Sequence, residues 1–151
     1  MTGEPLHAGL AAQQEALVRA IAAGGPPPPG FDADRVAAAA RSILYKRAGD
    51  VARAWPALAE SYGPRWKETY AAWAEGRPTN GSIRDAWDFA REHAAELSAE
   101  AARELALTEA RWSYDGKGAP RRRRAAVRRV PGGLVVQIMG RARLIGPGAR
   151  R

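Results

Sequence analysis

The stretch from residue 41 to residue 66, RSILYKRAGDVARAWPALAESYGPRW, constrains the fold more than any other part of the chain. Apolar residues recur in it at helical spacing, a Trp55-Pro56 step interrupts them, and Tyr62-Gly63-Pro64 stops them. Proline has no backbone N–H and clashes with the preceding turn, so a helix either begins near it or kinks. The segment therefore holds at least two helix boundaries and predicts short helices joined by breaker residues.

The rest of the first 115 residues continues in that style. Leu6, Leu10, Ala11, Leu17, Val18 and Ile21 predict an amphipathic helix over about 6–23. GGPPPPG then stops it and reads as an extended spacer, with recognition by an aromatic groove as the alternative. Asp32 is placed to cap a second helix, carrying Val36, Ala39, Ala40, Ile43 and Leu44 to about Arg47. Gly49-Asp50 is expected to break the chain before a stripe of Val51, Ala54, Trp55, Leu58 and Ala59. Trp66, Tyr70, Trp73 and Ala74 mark a fourth helix, closed by Gly76-Arg77-Pro78. Ser82 and Asp85 resemble a capping box for a fifth, Ile83 to about Leu97, which turns Ile83, Trp87, Phe89 and Ala90 inward. Ser98 caps a sixth, running to about Trp112. The expected fold is mainly α, a bundle of about six helices whose core is filled by the five Trp residues.

After Tyr114 the character changes. Residues 1–115 hold 13 of the 24 Lys and Arg and all 16 Asp and Glu, whereas residues 116–151 hold 11 Lys and Arg and no acid. The net charge of +8 thus belongs to the tail. A GC-rich genome that drifts Arg into the place of Lys would produce part of the same excess. Arg121, Arg122, Arg123 and Arg124 lead into two β-branched runs, 125–130 and 134–139, on either side of Pro131-Gly132-Gly133. That pattern predicts a small C-terminal β-hairpin, with Gly140 as a bulge letting 141–145 continue and a frayed end from 146. The division expected is a helical domain over 1–115 and a basic hairpin extension over 116–151 packed on it.

Reaction chemistry is not visible. The absence of Cys removes thiolate catalysis and Cys-ligated zinc, and His7 and His93 are too few for a His-rich metal site. Asp85, Asp88, Glu92 and Glu96 share a helix face that would suit a hard cation, but Arg84 and Arg91 beside them point to a solvated surface. No catalytic, cofactor-binding or metal-ligating residue is assigned. The first twenty residues lack the pattern of a secretory signal and no run approaches the roughly 18 apolar residues of a membrane span, so a cytoplasmic protein without membrane contact is expected.

Binding chemistry is visible in the tail. Arg121, Arg122, Arg123, Arg124, Arg128, Arg129, Arg141 and Arg143 suit an anionic partner, either the phosphates of nucleic acid or an acidic peptide. The run 134–139 has no obvious third long strand beside it, so its edge, with Leu134, Val136 and Ile138, is expected to be open to an extended peptide. A hairpin that merely covers the core is the plainer alternative.

The spacing Arg41-x-x-Leu44-Tyr45, Ala54-Trp55-Pro56-x-Leu58, Ser61-Tyr62-Gly63, Phe89-Ala90, Glu104-Leu105 and Glu109-x-x-Trp112 resembles the N-terminal domain of HvfC/BufC-type proteins over about residues 35–115. It is also similar to a helical domain fused to multinuclear non-haem iron oxidases in actinobacteria. The resemblance implies a partner protein that binds such an enzyme and helps recognise its ribosomally synthesised precursor peptide, in some members by adding the leader to a sheet edge. It implies no catalytic residue here, because the iron ligands belong to the enzyme, and it makes Arg41 and Tyr45 partner-facing. The C-terminal part is shorter than in the larger partner proteins. An older label for that family, DNA-binding domain, matches the alternative of nucleic-acid binding through the Arg-rich segment.

Overall fold

The computed structural model describes residues 4–146. The expected frayed end beyond residue 146 and the side chains of Leu6 and His7 lie outside what it describes. The chain is mainly helical and ends in antiparallel strands. In order come α1 (Glu4–Ala23), α2 (Ala33–Ala54), α3 (Pro56–Tyr62), a 3-10 turn (Gly63–Arg65), α4 (Trp66–Ala74), α5 (Ser82–Glu92) and α6 (Ala99–Arg111). The strands are β1 (Trp112–Ser113), β2 (Arg121–Arg122), β3 (Ala125–Val130), β4 (Gly133–Ile138) and β5 (Arg141–Ile145). Among the described residues two compact units form: one from 4–50 and 67–79, the other from 51–66 and 80–146.

In the first unit Asp32 caps α2 as expected, its carboxylate accepting the backbone N–H groups of Asp34 and Arg35 at 2.9 and 3.2 Å. The break expected at Gly49-Asp50 does not occur, and α2 continues to Ala54. One glycine costs a helix interior about 1 kcal/mol, which burial of the neighbouring Ala48 and Val51 offsets. Ala20, Val36, Ala48, Tyr70, Ala71 and Ala74 are its buried apolar residues. Trp73, expected in a core, is half-buried instead, with the Arg77 guanidinium 4.6 Å over its ring.

The second unit holds the aromatic core. Trp55, Leu58, Tyr62, Trp66, Trp87 and Phe89 are all buried. Tyr62 meets Phe89 edge-on at 5.5 Å, Trp66 meets Phe89 at 5.3 Å and Trp55 meets Trp87 at 6.4 Å. Each such pair contributes roughly 0.5–1.5 kcal/mol beyond its burial. Pro56 takes the first position of α3, where its missing N–H costs nothing. Trp55 offers that helix no side-chain cap, so Glu104 supplies one from α6, accepting the N–H of Leu58 at 2.9 Å. Helix α5 is shorter than expected and ends at Glu92, where the His93 ring lies 2.9 Å from the Phe89 carbonyl oxygen and stacks on the Phe89 ring at 4.2 Å. Ile83 is exposed in its first turn rather than buried. Ser98 caps α6, accepting from the Ala101 N–H at 3.2 Å.

Glu109 of α6 ties these pieces together. Its carboxylate accepts from Arg91 Nε of α5 at 2.7 Å and from Trp87 Nε1 at 3.4 Å, and lies 3.7 Å from Arg128 Nε of β3. Arg91 also donates to the Tyr114 carbonyl at 3.0 Å. The Tyr114 hydroxyl donates to Asp88 at 3.0 Å, and burial together with that carboxylate pushes its pKa up to about 12.

The hairpin expected around Pro131-Gly132 forms, with Val130 opposite Gly133. Gly140 is not a bulge. Met139 and Gly140 both have positive φ, 49° and 85°, a pair that reverses the chain in two residues. Residues 141–145 therefore return as a third strand, and the order is β3-β4-β5. One face of this sheet packs on α6, where Val135 joins Ala106 and Ala110, with Leu107, Ala126, Val130, Ala142 and Leu144 around them.

Two outcomes test this packing. At Gly133 an added Cβ would stand 2.5 Å from the Ile145 carbonyl oxygen, so Gly133→Ala must push β4 and β5 apart. It should lower the denaturant midpoint by the equivalent of about 1–3 kcal/mol, and an unchanged midpoint would refute the close approach. Burial holds the Glu104 carboxyl above its ordinary value, so the folded chain keeps that proton at a pH where the unfolded chain has lost it. Its contribution to stability should grow as pH falls from neutral through the raised value. The melting temperature of the native chain should rise relative to Glu104→Gln between pH 7 and pH 4, approximate limits that bracket a carboxyl; a constant gap would contradict this.

Candidate functional site

The alternation of the sheet sorts the tail residues onto two faces. Leu134, Val136 and Ile138 point away from α6, and the strand register surrounds them with a fixed set of neighbours. Leu134 lies between Arg129 and Ile145, Val136 between Val127 and Arg143, and Ile138 between Ala125 and Arg141. Val127, Leu134, Ile138 and Ile145 are 57%, 38%, 60% and 57% exposed, and apolar side chains gathered on one exposed face are the kind of surface that binds a partner. The outward face is thus an apolar diagonal flanked by guanidinium groups. Arg129, Arg141 and Arg143 have no carboxylate partner among the described residues.

The edge expected along 134–139 is closed, because β4 is the central strand and pairs on both sides. The outer edges belong to β3 and β5. Charged residues on β5 fit an edge guarded against self-association as well as one prepared for a basic-to-acidic pairing.

The arginine run divides by role. Arg121 and Arg122 form β2 against β1, with Trp112 opposite Arg122 and Ser113 opposite Arg121. Arg122 lies 5.0 Å over the Trp112 ring. Arg123 is structural: its Nε donates to the Trp112 carbonyl at 3.1 Å and its backbone N–H to the Arg111 carbonyl at 2.9 Å. Arg124 is exposed, and its carbonyl accepts the Met139 N–H at 2.8 Å. Arg128 turns to the α6 side, where Glu109 holds it, and so does not join the outward face. Trp112, expected in the core, is half-exposed beneath Arg122. It borders a cleft of about 890 Å³, with Arg111, Arg122, Arg124, Gln137 and Met139 on its walls.

Arg41 and Tyr45 belong to the first unit. Both line a cleft of about 460 Å³ in that unit, where the Tyr45 hydroxyl donates to Glu68 at 3.3 Å. The acidic face of α5 serves the fold, since Asp85 is buried and accepts the Asn80 N–H at 2.8 Å while Asp88 takes the Tyr114 hydroxyl. Burial raises the Asp88 pKa. Arg129 and Arg143, expected to face an anionic partner, do lie on the outward face, whereas Val127 and Ile145 beside them are outward-face residues the sequence did not single out. Period-2 alternation through 141–145, RARLI, was the signal, and it could be used only once the turn at Met139-Gly140 was known.

Comparison with known proteins places the chain at the level of a family. Over 88 residues it is 41% identical to a UPF0276 protein of Streptomyces avermitilis, a match covering 58% of this chain and 18% of that protein. This chain therefore corresponds to a small part of its longer relative. No solved structure matches it. The profile of the SCO6045-like, C-terminal domain family matches residues 11–95, and the chain belongs to that family.

Proposed function

We propose that this chain is a non-catalytic partner domain, cytoplasmic, that binds a multinuclear non-haem iron oxidase-type enzyme and helps it recognise a ribosomally synthesised precursor peptide. The observation that carries the reading is the outward face of the β3-β4-β5 sheet, with exposed Val127, Leu134, Ile138 and Ile145 bordered by Arg129, Arg141 and Arg143. Exposed aliphatic groups with a basic border suit a partner that brings apolar side chains and acidic groups to the same surface. The outer edge of β5 supports strand addition by an extended peptide, with main-chain hydrogen bonds supplying affinity. The resemblance of residues 35–115 to the HvfC/BufC-type domains belongs to the same reading. So does the match to a fraction of a longer relative, since a domain joined to others in one protein is suited to working beside another chain.

Co-purification of the intact chain with such an enzyme and with its precursor peptide is the direct test. Replacing Ile138 and Ile145 together by Asp leaves the α6-facing side untouched. This variant should keep its circular dichroism spectrum and lose about tenfold or more in affinity for the peptide or the enzyme, the scale of removing two buried interface contacts. Failure of the native chain to hold either partner under reducing conditions would refute the proposal. Binding to random duplex DNA at about 50 mM salt, falling steeply as salt rises, would favour the nucleic-acid reading, which the acid-free run of 116–151 supports.

A further inference from the structure

The cleft beside Trp112 holds an unmet demand. Gln137 is 1% exposed and lines it. Its Nε2 donates to the Arg123 carbonyl at 3.2 Å, but its Oε1 is buried without a hydrogen-bond partner. A buried acceptor left in that state has given up its hydrogen bond to water without replacement, and a ligand N–H would restore one. Around it stand Arg111, Arg122 and Arg124, all exposed and none with a carboxylate partner among the described residues. Met139 is 88% exposed at the rim, in a left-handed conformation that non-glycine residues rarely adopt. One small site therefore offers cations for an anion, an acceptor for an N–H and an apolar side chain.

We propose that this cleft binds an extended acidic peptide. The guanidinium groups of Arg111, Arg122 and Arg124 turn to its carboxylates, which uncovers the floor, and Gln137 Oε1 accepts one of its backbone N–H groups. Met139 packs on a side chain at the rim. This deepens the reading of the chain as a peptide-binding partner and rests on it: it makes the recognised segment acidic and adds a contact outside the sheet face. Nucleic acid fits the site less well. A phosphodiester backbone presents acceptors and no N–H to the unpartnered Gln137 Oε1.

Fluorescence anisotropy of the intact chain with labelled, end-blocked octaglutamate tests this. Binding is expected at low salt and should weaken as salt screens the charges. The same peptide with every backbone nitrogen methylated should bind about tenfold more weakly, the scale of one unsatisfied buried acceptor. Arg122→Ala with Arg124→Ala should cost at least as much without changing the circular dichroism spectrum, both residues being exposed. Gln137→Leu should remove the difference between plain and methylated peptide. Equal binding of the two peptides to the native chain, indifference to the Arg substitutions, or tighter binding of a DNA duplex than of octaglutamate would each overturn the proposal. If octaglutamate fails while enzyme and precursor are still captured, the cleft inference falls and the partner reading stands. If octaglutamate behaves as described but neither partner is captured, the partner reading falls and the cleft remains an acidic-peptide site.

Discussion

The carboxylate of Glu109 is the point on which the second unit depends. It sits half-buried on α6 and collects a charged donor from α5, an indole N–H from the same helix and a second guanidinium from β3. Charge-assisted hydrogen bonds in such partly dry places contribute roughly 1.5–3 kcal/mol each, more than exposed ion pairs, which give about 0–1 kcal/mol. Arg91 is committed further, lying 5.0 and 5.6 Å from the ring centres of Trp87 and Tyr114 and holding the Tyr114 carbonyl. Where the helical part ends and the strands begin, the chain is therefore held by a polar network as well as by packing.

Helix α6 serves three neighbours with three sets of residues. Glu104 caps α3, Glu109 holds α5 and β3, and the small residues Ala106 and Ala110 let the sheet approach closely enough to bury Val135. Small side chains on the contact face leave room for β-branched ones opposite, so a short sheet that would be marginal alone gains a covered face. Only one face is needed for that purpose. The other is free to carry Val127, Leu134, Ile138 and Ile145 into solvent among arginines, at a cost in solubility that binding would offset. The acid-free composition of 116–151 then acquires a geometry: some of its arginines are structural, as Arg123 and Arg128 are, and others border the outward face or the Trp112 cleft.

The local instructions were legible. Asp32 and Ser98 cap helices because a short side chain at that point reaches the free N–H groups of the first turn, and Pro56 starts α3 for a reason contained in its own ring. Pro131-Gly132 turns the hairpin in the same self-contained way. Where the outcome rested on distant partners, sequence reasoning missed it. Gly49 reads as a break and is carried through by burial around it, while Trp73 and Trp112 read as core and are instead capped by arginines close in sequence or across a ladder.

Sequence alone determined that this chain is mainly helical, that its net positive charge belongs to the end, and that a β-hairpin stands there, because caps, breakers and side-chain period act over a few residues. The tertiary structure decided which tail residues share a surface. A two-residue turn with a methionine at positive φ has no strong sequence signature, yet it brings β5 back beside β4, closes the edge expected at 134–139 and sets Arg141, Arg143 and Ile145 on the face that Leu134, Val136 and Ile138 share. The unpartnered acceptor of Gln137 could be found only in the same way, since whether a buried amide is satisfied depends on every group the fold brings within hydrogen-bonding reach of it.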